Sequence, residues 1–266
     1  MIAGNRVLAL FLIMSLLSDV SQGAQKEYNS IGNAQPKNKK KQRRLVASMD
    51  IYGGLTQFYG ELNEQDMKSL IGVGAHLHLN RKVEIAFNYT SGKLGGQKRN
   101  FLNSYFINEY NSWECSARWS ISQQFQKNLD DPVDFGIYGG LGLLIFSAEA
   151  YDLKTGAVVR FTNSNLSARN PLFLRWGPPK GPVGMKKTHE GILPVGMNIV
   201  YGGKARLKVG IDFRFYFIRT DKADATSGQR LVNPEEADSY SNTPNDKFSF
   251  IAVSVAYRFS KSPSKR

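Results

Sequence analysis

Between Leu45 and Phe259 apolar and polar residues take turns at every second position, the period of a β-strand whose two faces meet different surroundings. The stretch ARLKVGIDFRFYFIRT is the clearest. Leu207, Val209, Ile211, Phe213, Phe215 and Phe217 share one face, and Lys208, Gly210, Asp212, Arg214 and Tyr216 share the other. Ile71, Val73, Ala75, Leu77 and Leu79 stand against Gly72, Gly74, His76 and His78, and Val83, Ile85, Phe87 and Tyr89 against Glu84, Ala86, Asn88 and Thr90. Further along, Trp113, Cys115, Ala117, Trp119 and Ile121 oppose Glu114, Ser116, Arg118 and Ser120; near the end Ile251, Val253, Val255, Tyr257 and Phe259 oppose Ala252, Ser254, Ala256 and Arg258. Less regular strands read at ASMDIYGGLTQFYGE, VDFGIYGGLGLLIFSA and GILPVGMNIVY, which makes about eight. No helical period of useful length follows the first residues, so the chain is all-β.

Alternation alone does not say which face is inside, because a soluble sandwich hides its oily face and a membrane barrel displays it. Three features favour display. The strands read at about 9–14 residues, near the 9–11 that cross a bilayer on a tilt. Connections alternate between short, tight at Asn80-Arg81 and Gly202-Gly203 and moderate at QKNLDDP, and long, after QFYGE, across SGKLGGQKRNFLNS, from Tyr151 to Glu190 and from Asp221 to Asp246. Aromatic residues gather at strand ends, as Phe58, Tyr59, Tyr89, Trp113, Trp119, Tyr201, Phe217, Tyr257 and Phe259, where interfacial girdles sit. In hydrocarbon every backbone N–H and C=O needs a partner, and a sheet meets that demand only by closing on itself. The expected fold is a membrane-spanning, antiparallel, up-and-down β-barrel, in contact with outer-membrane lipid. Tyr257 and Phe259, with Arg258 between them, resemble the C-terminal insertion signal of outer-membrane barrels.

The first residues change where the chain is expected to act. Arg6 precedes an apolar run from Val7 to Leu17, then small and polar residues up to Gly23: the pattern of a secretory signal peptide over residues 1–23. Residues 24–44 carry seven Lys/Arg against one Glu and almost nothing apolar, so they read as a disordered basic arm, with Lys37, Lys39, Lys40, Lys41, Arg43 and Arg44 as its densest part. Residues 45–259 form the barrel and 260–266 a second basic tail. Together arm and tail hold nine of the thirteen formal positive charges. Such a balance commonly signals nucleic acid, but a secreted chain does not meet it, and an anionic surface or an acidic periplasmic protein is the expected partner. Both termini are expected in the periplasm and the long loops outside the cell.

Several quoted segments, FYGELNE, FNYTSGKLGGQKRN, YGGLGLLIFSAEAYD, GILPVGMNIVY and LKVGIDFRFYFIRTDKAD, together resemble the PorG-like outer-membrane barrels of Bacteroidota. The resemblance covers most of residues 48–259 and rests on glycine and aromatic patterns. It implies a non-enzymatic docking part of a type IX secretion or gliding complex, with a secretion-ring lipoprotein or similar periplasmic protein as partner. A stand-alone structural barrel of the OmpA type, binding a ligand or surface through its long loops, and a small channel are the alternatives.

Candidate chemistry is sparse. The inward set Glu84, Glu114, Arg118, Lys208, Asp212 and Arg214 is expected to form a polar network in the lumen, since an eight-stranded barrel is wide enough only for its own side chains. His76 and His78 share a face, and without a third clustered ligand they read as hydrogen-bonded lumen residues, so no metal site is expected. Gly139, Gly140 and Gly142 mimic a phosphate loop but no helix follows, and they read as relief of crowding in a tilted strand. His189 beside Glu190 and the acidic run with Glu235, Glu236 and Asp238 are the raw material for catalysis, and their spacing specifies none; no enzyme activity and no cofactor are expected. Asn88 opens an Asn-Tyr-Thr acceptor pattern inside a strand and is discounted for that reason. Cys115, the single cysteine, is expected to face lipid as a small apolar residue. Nothing in the chain bears on oligomeric state.

Overall fold

The computed structural model describes residues 46–60, 62, 64–80, 82–99, 103–125, 132–162, 187–203, 205–220, 222–225 and 245–259. The expected signal peptide, the basic arm with Lys37, Lys39, Lys40, Lys41, Arg43 and Arg44, and the tail 260–266 lie outside these residues.

Among them ten strands form: β1 (Val46–Tyr59), β2 (Glu64–Gln65), β3 (Lys68–His78), β4 (Val83–Lys98), β5 (Ser104–Ser120), β6 (Val133–Asp152), β7 (Val158–Phe161), β8 (Lys187–Tyr201), β9 (Leu207–Ile218) and β10 (Lys247–Arg258), with a single turn of helix, α1 (Ser122–Phe125), between β5 and β6. Eight of them pair antiparallel with their chain neighbours, and β10 pairs back onto β1 from Ser48↔Arg258 to Tyr59↔Lys247. The sheet is therefore a closed up-and-down barrel without a free edge at membrane depth.

The register has a simple property. In every barrel pair the two partner numbers sum to an even number, as for Glu84↔Arg118, Val133↔Tyr201 and Val253↔Gly53. One parity thus holds around the whole circumference: even-numbered residues of the barrel strands point in and odd-numbered ones point out. Ile51, Ile71, Phe87, Trp113, Leu141, Ile199, Ile211 and Val253 are exposed, whereas Phe106, Tyr110, Leu144, Phe146, Tyr216, Phe248 and Phe250 are buried. A soluble sheet has this the other way round. The unbroken outward belt of large apolar residues, over a lumen that holds the charges, makes this a barrel of the outer membrane.

The belt is shorter than the strands. On β4 it stops at Tyr89 and gives way to Ser91 and Lys93; on β5, read downward, Glu109 and Asn111 precede Trp113. Lys93 and Glu109 form an exposed ion pair at 2.9 Å above the belt. Beyond that line β4, β5 and β6 run on together to Lys98↔Ser104 and Ser104↔Asp152, with β2 added to the edge of β4 and β7 to the edge of β6. A five-stranded sheet thus stands clear of the lipid zone at the loop end.

This overturns two expectations. SGKLGGQK is strand and not loop, leaving only residues 99–103 as the connection, and the segment from Tyr151 to Glu190 loses its two ends to β6 and β8 and holds β7. With no hydrocarbon outside, the outward face has no need of apolar residues, so alternation fades where the strand does not. Phe58 is the other correction: it sits on an even position, 3% exposed, edge-on to Phe106 at 4.8 Å in the lumen, and belongs to no girdle. Tyr59, Trp113, Trp119, Tyr201, Tyr257 and Phe259 do face outward.

The tight turns follow from local chemistry. Asn80 accepts Lys82 N at 2.7 Å and Val83 N at 2.8 Å on its side-chain oxygen, closing the β3–β4 turn. Gly202 and Gly203 have φ of 143° and 48°, a conformation that a side chain disfavours, at the β8–β9 turn. At the loop end Asp152 caps the β6–β7 turn, accepting Lys154 N at 2.9 Å and Thr155 N at 2.8 Å. These bonds to Thr155 and Lys154 favour the ionised carboxylate and lower its pKa below the usual value. A depressed folded pKa stabilises the turn above the unfolded carboxylate's pKa, and the stabilisation is lost as pH falls through the folded one. In NMR titrations the amide signals of Lys154 and Thr155 are expected to shift with a midpoint below that of an ordinary aspartate; a midpoint at or above it contradicts the cap.

Candidate functional site

The lumen is stacked in three tiers, and the strand parity decides which residues enter it. Nearest the turn end, Asp50, His76, Glu84, His78 and Ser48 form a chain across β1, β3 and β4. Glu84 Oε1 lies 2.6 Å from His76 Nδ1, its Oε2 lies 3.0 Å from His78 Nδ1, and His78 Nε2 lies 3.0 Å from Ser48 Oγ. Across the barrel, Arg118 Nη2 lies 3.0 Å from Asp134 Oδ2, and its Nε donates to Asn198 Oδ1 at 2.8 Å. Gly136 makes room for this guanidinium, since a Cβ there would strike it.

The middle tier is organised by Arg214. Its Nη1 donates to Glu114 Oε2 at 2.7 Å, its Nη2 to Asp212 Oδ2 at 2.8 Å and its Nε to the Tyr138 hydroxyl at 2.9 Å. Tyr216 and Ser112 donate to the other Glu114 oxygen at 2.8 and 2.6 Å, and Tyr138 donates to Asp212. The guanidinium also faces the rings of Phe250, Tyr138 and Tyr52 at 5.0, 5.1 and 5.7 Å. Two carboxylates and one guanidinium, all buried, satisfy each other through both charge and hydrogen bonds.

Towards the loop end the lumen turns apolar. Tyr216 and Phe248 stack at 4.2 Å, Tyr110 lies against Phe248, and Leu62, Leu94, Leu144, Phe146, Ile192 and Ile218 fill the remaining space, each buried. The chain after β9 folds back over this core. Ala223 N donates to Asp246 at 2.7 Å, Asn108 Nδ2 donates to Ala223 O at 2.6 Å, and Leu62 N donates to Asp224 at 3.2 Å, so two connections cap the barrel together. Glu190 and Arg219 lie 3.7 Å apart beneath the cap. Among the described residues a polar cavity of about 30 Å³ lies between Asp50, Asn88, Arg118, Asn198 and Asp212, room for about one or two waters.

The six inward residues named from the sequence therefore do not meet in one network. Glu114, Asp212 and Arg214 meet; Glu84 and Arg118 belong to separate contacts in the tier below; Lys208 takes part in none of these contacts. Sequence reasoning missed Asp50, Asp134, Asn198 and Tyr138, whose strands read as less regular, although their even numbers carry the signal. His189 and Glu190 are adjacent in β8 and so point to opposite faces, which removes them as a catalytic pair. Glu235, Glu236 and Asp238 lie outside the described residues. Gly140 and Gly142 leave no space for a side chain against the β5 backbone, at Cys115 O and Trp113 O. Cys115 is exposed on the outer face, and Tyr257 lies 5.6 Å from Phe259, ring to ring, at the turn end.

On the projecting sheet Tyr105 and Tyr151 stack at 5.1 Å. The Glu149 carboxylate, hydrogen-bonded to Tyr151 at 2.6 Å, pushes that hydroxyl up to about 12. Among the described residues no group of three His, Cys, Asp or Glu side chains is set to hold a metal, and no helix is long and apolar enough to cross a membrane.

No protein-family model and no curated protein matches the chain. Solved structures do show distant likeness. Neisserial surface protein A shares 13% identity over 82% of this chain and 100% of its own, with a TM-score of 0.45. Ail, the attachment invasion locus protein of Yersinia pestis, shares 10% identity over 82% and 100%, at 0.44. A major outer membrane protein from Thermus thermophilus shares 12% over 80% and 99%, at 0.42, and the outer membrane enzyme PagL 10% over 78% and 98%, at 0.34. The chain is an eight-stranded outer-membrane β-barrel with a filled lumen, a capped loop end and a sheet that projects beyond the lipid belt.

Proposed function

We propose that this protein is a structural, non-catalytic component of the outer membrane that works by docking at its rims. The observation that carries this reading is the packed lumen: among the described residues side chains fill it in three tiers and a cap covers its loop end, which leaves the two ends as the working surfaces. In planar bilayers the purified protein is expected to give no stable single-channel conductance.

The finer reading follows the sequence. The resemblance to PorG-like barrels and the basic arm of residues 24–44 favour attachment to a periplasmic partner of a type IX secretion or gliding complex, with the arm's lysines and arginines meeting an acidic surface. Deleting residues 24–44 is then expected to leave membrane insertion intact and abolish co-purification of periplasmic proteins from gently solubilised envelopes. Unchanged co-purification contradicts the reading. A second reading, a barrel that binds an external surface, is favoured by the five-stranded projection, which lifts Tyr105, Tyr151, Val158 and Val159 beyond the lipid belt. In that case removing residues 163–186 and replacing the two tyrosines abolishes surface binding, and loss of the arm does not.

A further inference from the structure

His76 sits between two carboxylates, and its two ring nitrogens are not treated alike. Nδ1 is 2.6 Å from Glu84 Oε1 in a good hydrogen bond. Nε2 is 3.1 Å from Asp50 Oδ1, yet the two are not aligned for a hydrogen bond, and both atoms are buried without a hydrogen-bond partner. In the neutral ring Glu84 takes the Nδ1 proton, so Nε2 presents a lone pair to another lone pair. Two such atoms repel unless a proton on Nε2 or a metal cation stands between them.

The neighbouring backbone brings a third donor to the same place. Gly74 lies one strand position from His76 on the same inward face, and a Cβ there would come 2.7 Å from Asn88 Oδ1, 2.8 Å from His76 Nε2 and closer still to Asp50 Oδ1. Three donor atoms from β1, β3 and β4 therefore converge over the one residue type with no side chain. All three residues also line the small polar cavity, whose volume admits water as a further ligand. The spacing fits coordination: with metal–ligand bonds of about 2.1 Å, neighbouring ligands stand about 3.0 Å apart in an octahedron and about 3.4 Å in a tetrahedron, and Asp50 Oδ1 and His76 Nε2 are 3.1 Å apart.

We infer that Asp50 Oδ1, His76 Nε2 and Asn88 Oδ1 form a binding site for a divalent first-row transition ion such as Zn²⁺, with Glu84 orienting the imidazole from behind. A histidine that gives its far N–H to a carboxylate is the usual arrangement around such ions, because the carboxylate fixes the tautomer and raises the basicity of the ligating nitrogen. His78, which binds the other Glu84 oxygen at 3.0 Å, and Ser48 beyond it, hold that carboxylate in turn. Imidazole and carboxylate in one set favour zinc, nickel or copper over magnesium or calcium. The site belongs to the turn-side tier, below Arg214, and so is reached from the turn end.

The test uses the full, tag-free chain folded in detergent micelles, with Zn²⁺ alone in calorimetry and Co²⁺ alone in optical absorption. One ion per chain is expected, with cobalt d–d bands that Zn²⁺ displaces. His76→Gln and Asp50→Asn are each expected to weaken binding at least tenfold, and Glu84→Gln, a positioning change, by 10- to 100-fold. Heat-modifiable gel mobility reports folding of each variant. Absence of stoichiometric binding to the native chain overturns the inference and leaves His76 as an imidazolium bridging Asp50 and Glu84. Binding that survives His76→Gln unchanged overturns it as well.

Discussion

Replacing Arg214 by methionine is expected to destabilise the barrel by about 3–5 kcal/mol, because it strips Glu114 and Asp212 of the one cation that both touch. The loss is not that of an ion pair on a surface. Glu114 and Asp212 are 4% and 8% exposed, and a carboxylate left alone at that depth carries the full cost of its desolvation. Methionine keeps much of the stem that packs on Tyr52, Tyr138 and Phe250, so the measured change isolates the charge. Urea titration in micelles, followed by tryptophan fluorescence, is expected to show a lower midpoint with an unchanged slope. Neutralising both acids in the same chain, as Glu114→Gln and Asp212→Asn, is expected to recover most of the difference, since a buried ionic cluster adds little net stability over neutral residues of similar volume. A methionine variant within about 1 kcal/mol of the native chain would show that solvent already reaches this tier.

The second large effect is on the other face of the same strand. Ile211 points outward from the middle of the run Leu207–Phe217 and is 52% exposed, one residue from the inward Asp212. Ile211→Arg is expected to cost about 2–4 kcal/mol on folding into lipid vesicles, the depth-dependent penalty for a charge at the bilayer midplane. Glu109→Arg, outward on β5 but above the belt, is expected to change stability by no more than about 0.5 kcal/mol. The contrast is the informative result. It places the edge of the lipid zone between Trp113 and Glu109 on β5, and equal penalties at both sites would remove the distinction between belt and projection.

Much of this architecture was legible along the chain. Each amphipathic strand carries its apolar residues on one face, and a bilayer imposes that contrast strongly, since an outward charge is costly at every turn of the alternation. The girdle residues Trp119, Tyr201 and Tyr257 are readable for the same reason. Above the lipid the constraint vanishes: water accepts Lys93, Glu109 and Asn111 as readily as any polar residue, so SGKLGGQK looks like a loop although its backbone pairs with β5 throughout. Phe58 misleads in a related way. An aromatic at a strand end suits a girdle and a lumen cap equally, and only its even position decides between them. The pairing of lumen charges was less legible still. Glu84, Glu114, Arg118, Asp212 and Arg214 are inward by alternation, but which of them touch depends on the stagger of strands around the circumference, and Asp134 and Asn198 enter from strands whose own pattern is faint.

Alternation, taken with strand length, the rhythm of tight and long connections and the place of the aromatics, settled the class of fold and which residues of a strand share a face, because those depend on a two-residue period and on the solvent at each face. The tertiary structure alone decided what the inward side chains do. Closure of β10 on β1 fixes the relative height of all eight strands, and with it the meeting of Arg214 with Glu114 one hundred residues away, the convergence of Asp50, His76 and Asn88 over Gly74, and the extension of three strands past the membrane. Such meetings are set by shear between strands, a quantity that no single strand contains.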